Sequence, residues 1–143
     1  MIKHDFKLQI KAPLAKVFAY VTDFRNAAEW QNGIIESSQT PDGPTQLGSK
    51  FKTVRTLFGQ RVEAAGEVTE FVPNKKFAFK STSGPIHFGF VQTFEPEAEG
   101  TLVNLSLELE AGGFFKLAEG ALAGNVKKEF ESQTEKLKSI LEA

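Results

Sequence analysis

The spacing of apolar residues changes once along this chain, and that change constrains the fold more than any other feature. Apolar and polar residues alternate in residues 2–11, where Phe6, Leu8 and Ile10 share one face of a predicted strand. From Phe114 to Leu141 the apolar residues recur mostly at threes and fours, which predicts one long amphipathic helix. A series of antiparallel strands that ends in one helix predicts an α+β fold with the helix on one face of the sheet.

Between these two segments the pattern predicts two short helices and a series of strands. Apolar residues at helical spacing predict about two turns after Pro13, a residue that suits the first turn of a helix. Asp23 is predicted to cap a second short helix that runs from Phe24 towards Trp30. Turn-forming residues separate the predicted strands, which cover residues 2–11, 34–39, 49–58, 61–72, 77–83, 86–95 and 101–111.

The composition excludes several classes of function. The chain has 143 residues, and we expect a single domain over residues 1–143. It contains no cysteine, which excludes disulfides, thiolate nucleophiles and zinc–sulfur sites. Its formal net charge is -1, so no basic field is present to recruit nucleic acid. No apolar run approaches the roughly 20 residues that span a bilayer, and we expect a soluble, cytoplasmic protein.

Phenylalanine is unusually frequent, with 14 residues beside one Trp, one Tyr and one Met. Because Phe has a large apolar area and no polar atom, we expect a broad aromatic interior that is poor in hydrogen bonds. Most of these rings are expected to fill a core, and several could face a cavity instead.

Several short motifs occur in an order and spacing that carry a family resemblance. They are Ala12-Pro13-Leu14-Ala15-Lys16-Val17-Phe18, Val21-Thr22-Asp23-Phe24, Glu29-Trp30, Gly48-Ser49-Lys50-Phe51, Pro73-Asn74-Lys75 and Gly100-Thr101. Over essentially the whole chain, the sequence resembles the polyketide cyclase/dehydrase-like branch of the START-like (SRPBCC, helix-grip) superfamily. The resemblance implies a seven-stranded, curved antiparallel sheet wrapped around the C-terminal helix, with a hydrophobic cavity between them.

The same resemblance implies no single activity. The family includes aromatic cyclases, lipid and hormone carriers and quinone-binding chaperones, and it has no shared catalytic motif. No catalytic residue is therefore carried over to this chain, because a fold alone does not define a reaction.

The predicted strand 86–95 carries the clearest polar candidate. At a period of two, Gln92 shares one face with Phe88 and Phe90, and this face is expected to point inward. Gln92 is then an amide among phenyl rings, where an unpaired polar group costs a few kcal/mol. It either orients a carbonyl or hydroxyl group of a ligand or bonds a neighbouring side chain or an ordered water.

The orientation of Arg55 is ambiguous, because apolar residues lie on both faces of the predicted strand 49–58. If Phe51 points inward then Arg55 does too, and a buried guanidinium needs a carboxylate or an anionic group of a ligand. Glu63 or Glu67 on the next strand could satisfy it. A surface position is the expectation for Arg55, which is nevertheless kept as a candidate ligand contact.

In the fold that the resemblance implies, the two short helices border the mouth of the cavity. Tyr20 and Trp30 are therefore candidate ligand contacts, with core packing as the simpler role for both. Tyr20 could also act as a weak acid in a cyclase-like reaction. His4 and His87 are far apart and are expected at wet or terminal positions, so they predict no metal site.

The predicted C-terminal helix contains Gly120 and Gly124 in its first half, and a mid-helix glycine costs about 0.5–1 kcal/mol relative to alanine. These glycines either soften this half to admit a ligand or permit close approach to the sheet, and close approach is the favoured interpretation. Phe114, Leu117 and Leu122 in the same half are predicted to line the cavity.

We therefore expect a module that binds a small hydrophobic, aromatic or lipid-like molecule between the sheet and the helix. The predicted contacts are Tyr20, Trp30, Phe51, Arg55, Phe79, Phe88, Phe90, Gln92, Phe114, Leu117 and Leu122. The alternatives are a polyketide cyclase or dehydratase, which convergence of at least two ionisable groups in the cavity would favour, and an interaction domain whose groove receives a partner segment. The residues predict no cofactor and leave open whether the protein is a monomer or a homodimer.

Overall fold

The computed structural model describes residues 2–31, 34–40, 45–57, 59–84, 86–111 and 119–143. Over these residues it shows a curved, seven-stranded antiparallel sheet and a long C-terminal helix, which confirms the predicted fold class. The elements are β1 (Ile2–Ile10), α1 (Leu14–Val21), a 3₁₀ turn (Phe24–Asn26), α2 (Ala27–Trp30), β2 (Ile34–Thr40), β3 (Lys50–Leu57), β4 (Gln60–Val72), β5 (Lys76–Ser83), β6 (Ile86–Glu97), β7 (Gly100–Ala111) and α3 (Glu119–Glu142).

The sheet is a series of hairpins closed by its first strand. Strands β2 to β6 each pair with the next strand along the chain, and β1 pairs with β7, giving the order β1-β7-β6-β5-β4-β3-β2. The β1–β7 register joins Ile2 to Leu109 and Ile10 to Thr101. Thr101 is fully buried, and its hydroxyl donates to the carbonyl oxygen of Ala12 at 2.9 Å. This bond fixes the chain where it leaves β1 for α1.

The predicted boundaries agree with the structure to within about two residues wherever the chain is described. Pro13 differs slightly, because it lies just before α1 with extended backbone (φ −60°, ψ 142°) rather than in the first turn. Asp23 acts as the predicted cap, since its carboxylate accepts a hydrogen bond from the backbone N–H of Arg25. The predicted start of the last helix at Phe114 lies outside the described residues.

One continuous core joins the inner face of the sheet to the helices. Helix α1 buries Val17, Phe18 and Val21, and the ring of Phe18 meets the ring of Phe94 in β6 edge to face at 4.9 Å. Helix α3 packs over the other half of the sheet, where Phe130 stacks on Phe6 at 5.0 Å. The two helices thus cover the sheet at different places and leave a space between them.

The glycines of α3 do not approach the sheet. Gly120 and Gly124 are both exposed, and a Cβ built at either residue would meet no described atom within 4 Å. The favoured interpretation of these glycines, close backbone approach, is therefore wrong. Among the described residues, no packing contact requires glycine at either position, and both weaken the helix.

Replacing Gly124 by alanine is accordingly expected to stabilise the protein by about 0.5–1 kcal/mol, because alanine has the higher helix propensity and there is open space for its methyl group. Gly48 is the matched control: a Cβ there also meets nothing within 4 Å, but its φ is +85°. Gly48→Ala is expected to destabilise by about 1 kcal/mol, because an L-residue is strained in the left-handed region. Urea denaturation measures both, and a destabilised Gly124→Ala variant would contradict the first expectation.

Candidate functional site

A cavity of about 170 Å³ lies between the inner face of the sheet and the helices α2 and α3. The 3₁₀ turn and α2 close one side, strands β3 to β7 form the wall, and α3 contributes Phe130 and Gln133. The described lining residues are Val21, Asp23, Phe24, Ala27, Trp30, Gln31, Phe51, Thr53, Arg55, Val62, Ala64, Phe77, Phe79, Ile86, Phe88, Phe90, Gln92, Leu107, Leu109, Phe130 and Gln133. This lining is mostly aromatic and aliphatic, with a small set of polar groups.

Phenylalanine rings in mutual contact run across the cavity from the 3₁₀ turn to α3. Phe24 stacks on Phe51 at 4.3 Å, and Phe51 meets Phe79 edge to face at 5.1 Å. Phe79 stacks on Phe90, its partner in the β5–β6 register, at 5.3 Å, and Phe90 stacks on Phe130 at 5.5 Å. Side chains two residues apart on one strand share a face of the sheet, and directly paired residues on neighbouring strands share a face too. The rings contributed by the strands therefore lie on one surface. The surface suits a flat apolar molecule.

Two buried polar groups in this lining lack a hydrogen-bond partner among the described residues. Gln92 is 3% exposed and its Oε1 atom accepts no hydrogen bond there. Trp30 is 6% exposed and its Nε1 atom donates none. A buried polar atom without a partner costs about 1–3 kcal/mol, so each is a place where a ligand can add an interaction.

Strand β3 turns Phe51, Thr53 and Arg55 towards the cavity, since all three line it. The expectation of a surface position for Arg55 is therefore wrong. The reason is the pairing of β3 with β4, which places Arg55 opposite Val62, itself a lining residue. Because apolar residues lie on both faces of β3, the sequence pattern did not indicate this orientation.

The charge environment of Arg55 also differs from the one expected. Glu63 pairs instead with Arg61 at 2.9 Å, and Glu67 lies opposite Lys50 in the register. The guanidinium donates a hydrogen bond to Oε1 of Gln31 at 3.3 Å. Burial lowers the pKa of Arg55, and the charge of Glu129 on α3 acts in the opposite direction. Arg55 is thus a cation in an apolar cavity.

Tyr20 and Asp23 have structural partners of their own. Tyr20 is not among the lining residues, and its hydroxyl donates to Glu29 at 3.1 Å. Burial, together with this bond and the charge of Glu29, raises the pKa of Tyr20 to about 12. Asp23 lines the cavity but accepts two hydrogen bonds from the side chain of Arg25, at 2.8 and 2.9 Å, which lower its pKa. Neither group is placed to exchange protons near neutral pH.

The structure brings most of the predicted contacts together. Those that line the cavity are Trp30, Phe51, Arg55, Phe79, Phe88, Phe90 and Gln92. Phe114 and Leu117 lie outside the described residues, as does the side chain of Leu122. Whether any of these residues binds a ligand stays a prediction.

Several lining residues were not predicted from the sequence. Phe77 was detectable, because it shares a strand face with Phe79. Gln133 was detectable too, since it lies three residues after Phe130 and four before Leu137 on one helix face. Gln31 carried no signal, because it follows α2 in irregular backbone.

The described residues form neither a metal site nor a helix that could span a membrane. His4 is half-buried on the inner face of β1, with no hydrogen-bond partner for its Nε2 there, whereas His87 is exposed. Within the described ranges, no group of three His, Asp or Glu side chains could hold a metal ion. No helix in the described part of the chain is both long and apolar enough to cross a membrane.

The fold recurs in solved structures of low sequence identity. A START superfamily protein from Mycobacterium smegmatis has a TM-score of 0.68 at 17% identity, with 94% of this chain and 98% of that chain covered. Protein TTHA0849 from Thermus thermophilus has a TM-score of 0.72 at 19% identity, with 97% of each chain covered. The di-domain ARO/CYC StfQ of the steffimycin biosynthetic pathway has a TM-score of 0.76 at 12% identity, with 99% of this chain but 51% of that chain covered.

Sequence comparison gives a more specific result. No curated protein matches the chain at a significant level. The sequence profile described as "Polyketide cyclase / dehydrase and lipid transport" matches residues 1–142. This agrees with the resemblance read from the motifs and with the START-like fold. The chain therefore belongs to the polyketide cyclase/dehydrase and lipid transport family.

Proposed function

We propose that this protein binds a small, hydrophobic, ring-bearing molecule in the cavity between the sheet and α3. The observation that carries the proposal is the set of stacked phenylalanine rings along one enclosed wall. Offset-stacked and edge-to-face geometries of this kind extend naturally to a further ring placed among them. The family description, which includes lipid transport, supports the same role.

The size of the cavity limits the ligand. An apolar cavity of about 150 Å³ takes up a molecule such as benzene. At about 170 Å³ this cavity suits a body of one or two rings. Gln92 and Trp30 offer an acceptor and a donor that would orient such a molecule.

A second candidate is a cyclase or dehydratase acting on a polyketide-like chain. Arg55 in the cavity favours it, because a guanidinium stabilises negative charge that develops on a carbonyl oxygen. Such a reaction also needs a group that accepts a proton near neutral pH. No histidine or tyrosine is among the described lining residues, and the lining carboxylate Asp23 is held by Arg25. The geometry therefore supports binding more strongly than turnover.

Ala64→Phe is expected to weaken the binding of 2-naphthol, a neutral two-ring molecule, by at least about tenfold. Ala64 lines the cavity opposite Thr53, so a phenyl ring there occupies the ligand's space, and a loss of about 1.4 kcal/mol, within the 1–3 kcal/mol typical of overpacking, corresponds to tenfold in affinity. NMR titration of backbone amides measures the affinity and shows whether the shifts fall on β5 and β6.

Ala65→Phe is the matched control for this variant. Ala65 pairs with Lys52, an exposed residue, and so lies on the opposite face of β4. It is expected to bind 2-naphthol like the wild type. If 2-naphthol shifts no residue of the inner sheet face in the wild type, the binding proposal fails.

A further inference from the structure

Arg55 marks one end of the cavity, near the tip of the β3–β4 hairpin. It lies two residues before the end of β3 and pairs with Ile34 of β2 and Val62 of β4. Gln92 lies between Phe90 and Phe94 of β6, and through its partner Phe77 in β5 it aligns with Phe71 of β4, nine residues beyond Val62. Among the described lining residues, Arg55 is the one that carries a positive charge.

The guanidinium of Arg55 has unused hydrogen-bonding capacity. It carries five N–H donors, and among the described residues it makes one hydrogen bond, the bond of 3.3 Å to the amide oxygen of Gln31. That acceptor is neutral and the bond is longer than usual for a charged donor. Planar guanidinium groups bind carboxylates through two parallel bonds, a geometry that Gln31 cannot supply.

Glu129 of α3 provides negative charge near this cation, since its charge favours the protonated form of Arg55. A ligand carboxylate that reached the guanidinium would therefore be attracted by Arg55 and repelled by Glu129. The two residues make opposite contributions to the affinity for an anion. Replacing Arg55 or Glu129 should therefore change the affinity for an anion in opposite directions.

The aromatic surface begins close to Arg55. Thr53 and Phe51 lie two and four residues before it on the same face of β3, which corresponds to about 7 and 13 Å along the strand. The ring of Phe51 lies 5.1 Å from that of Phe79 and 6.3 Å from that of Phe88. The cluster of rings thus begins four residues before Arg55 on the same face of β3.

We propose that the ligand is an aromatic acid whose carboxylate binds Arg55 while its ring lies against Phe51, Phe79 and Phe88. This inference rests on the proposed function and adds the charge and orientation of the ligand. It commits to a carboxylate because the spare N–H groups form a planar fork on the one cation among the described lining residues.

The test compares 2-naphthoate with 2-naphthamide, which have the same rings but differ in charge. Wild-type protein is expected to bind 2-naphthoate at least about tenfold more tightly, because a charge-assisted hydrogen bond contributes roughly 1.5–3 kcal/mol, which is tenfold or more. Arg55→Gln is expected to reduce that ratio to about one, and Arg55→Lys, which keeps the charge without the fork, to give an intermediate ratio. Glu129→Gln is expected to raise the ratio. Trp30, the single tryptophan, lines the cavity, and its fluorescence confirms that each variant is folded.

The outcomes separate the two proposals. If the wild type binds both compounds equally, or if Arg55→Gln still prefers 2-naphthoate, the assignment of the carboxylate to Arg55 is overturned and the binding function stands. If neither compound binds, and 2-naphthol does not bind either, both proposals are overturned. Preference for 2-naphthoate that is lost in Arg55→Gln and strengthened in Glu129→Gln supports the acid.

Discussion

Phe77→Ala is expected to lower the free energy of unfolding by about 3–5 kcal/mol, the largest effect that a single truncation should have in this protein. Phe77 is 1% exposed, and its ring contacts those of Phe24, Phe71 and Phe79 at 5.4 to 6.1 Å. Removing it takes away buried apolar area and leaves a void. The sheet cannot collapse into that void, because strands on both sides hold the backbone of β5 in place.

Urea denaturation followed by Trp30 fluorescence measures this effect, with Phe88→Ala as the matched control. Phe88 also lines the cavity but is only partly buried, so its truncation is expected to destabilise by less than half as much. Equal losses of unfolding free energy in the two variants would show that the structure relaxes around the missing Phe77 ring, which would contradict the expected void.

Gly66→Ala is expected to destabilise the protein by about 2–4 kcal/mol, through overlap rather than through a lost contact. A Cβ at Gly66 would come well inside 3.0 Å of both the carbonyl oxygen of Lys80 and the ring of Phe51. The carbonyl belongs to the backbone of the neighbouring strand β5 and cannot move without breaking the sheet. Phe51 lies opposite Gly66 in the β3–β4 register, so its ring occupies the space that a side chain would need.

Gly89→Ala is the control for this variant, because Gly89 also lies within a strand and a Cβ there meets nothing within 4 Å. It is expected to leave stability unchanged or to raise it slightly, since alanine restricts the unfolded chain. Thermal denaturation compares the two, and a Gly66→Ala variant as stable as Gly89→Ala would refute the overlap. A displaced Phe51 ring should also weaken the binding of 2-naphthol to the folded fraction.

The sequence predicts those parts of the site that depend on alternation within one strand. Phe88, Phe90 and Gln92 share a face at a period of two, and nothing apolar competes on the other face except Val91. Their inward orientation follows from that pattern alone. Gln92 is then recognisable as a polar residue on a strand face that otherwise carries apolar residues, mostly phenylalanine.

Features that depend on which strands pair were not predictable in the same way. The orientation of Arg55 depends on the β3–β4 register and on the shift between Ile34 and Glu36 where β2 pairs with β3. The requirement for glycine at position 66 depends on a ring from β3 and a carbonyl from β5. Alternation within a strand carries neither kind of information, because both arise from tertiary contacts.

The pairing of β1 with β7 has a consequence for the order in which the protein folds. Strands β2 to β7 join neighbours in sequence, so their hairpins can form early and with little loss of loop entropy. Strand β1 can pair only after a partner about a hundred residues later in the chain is available, since Ile2 pairs with Leu109. The hydrogen bond from the Lys16 ammonium to the Leu141 carbonyl spans a still longer separation in sequence. Such non-local closure slows folding to roughly milliseconds or longer. During synthesis the aromatic face of β2 to β6 would therefore stay uncovered until β7 and α3 emerge, so these last two elements, in roughly the last third of the chain, protect the earlier strands from association.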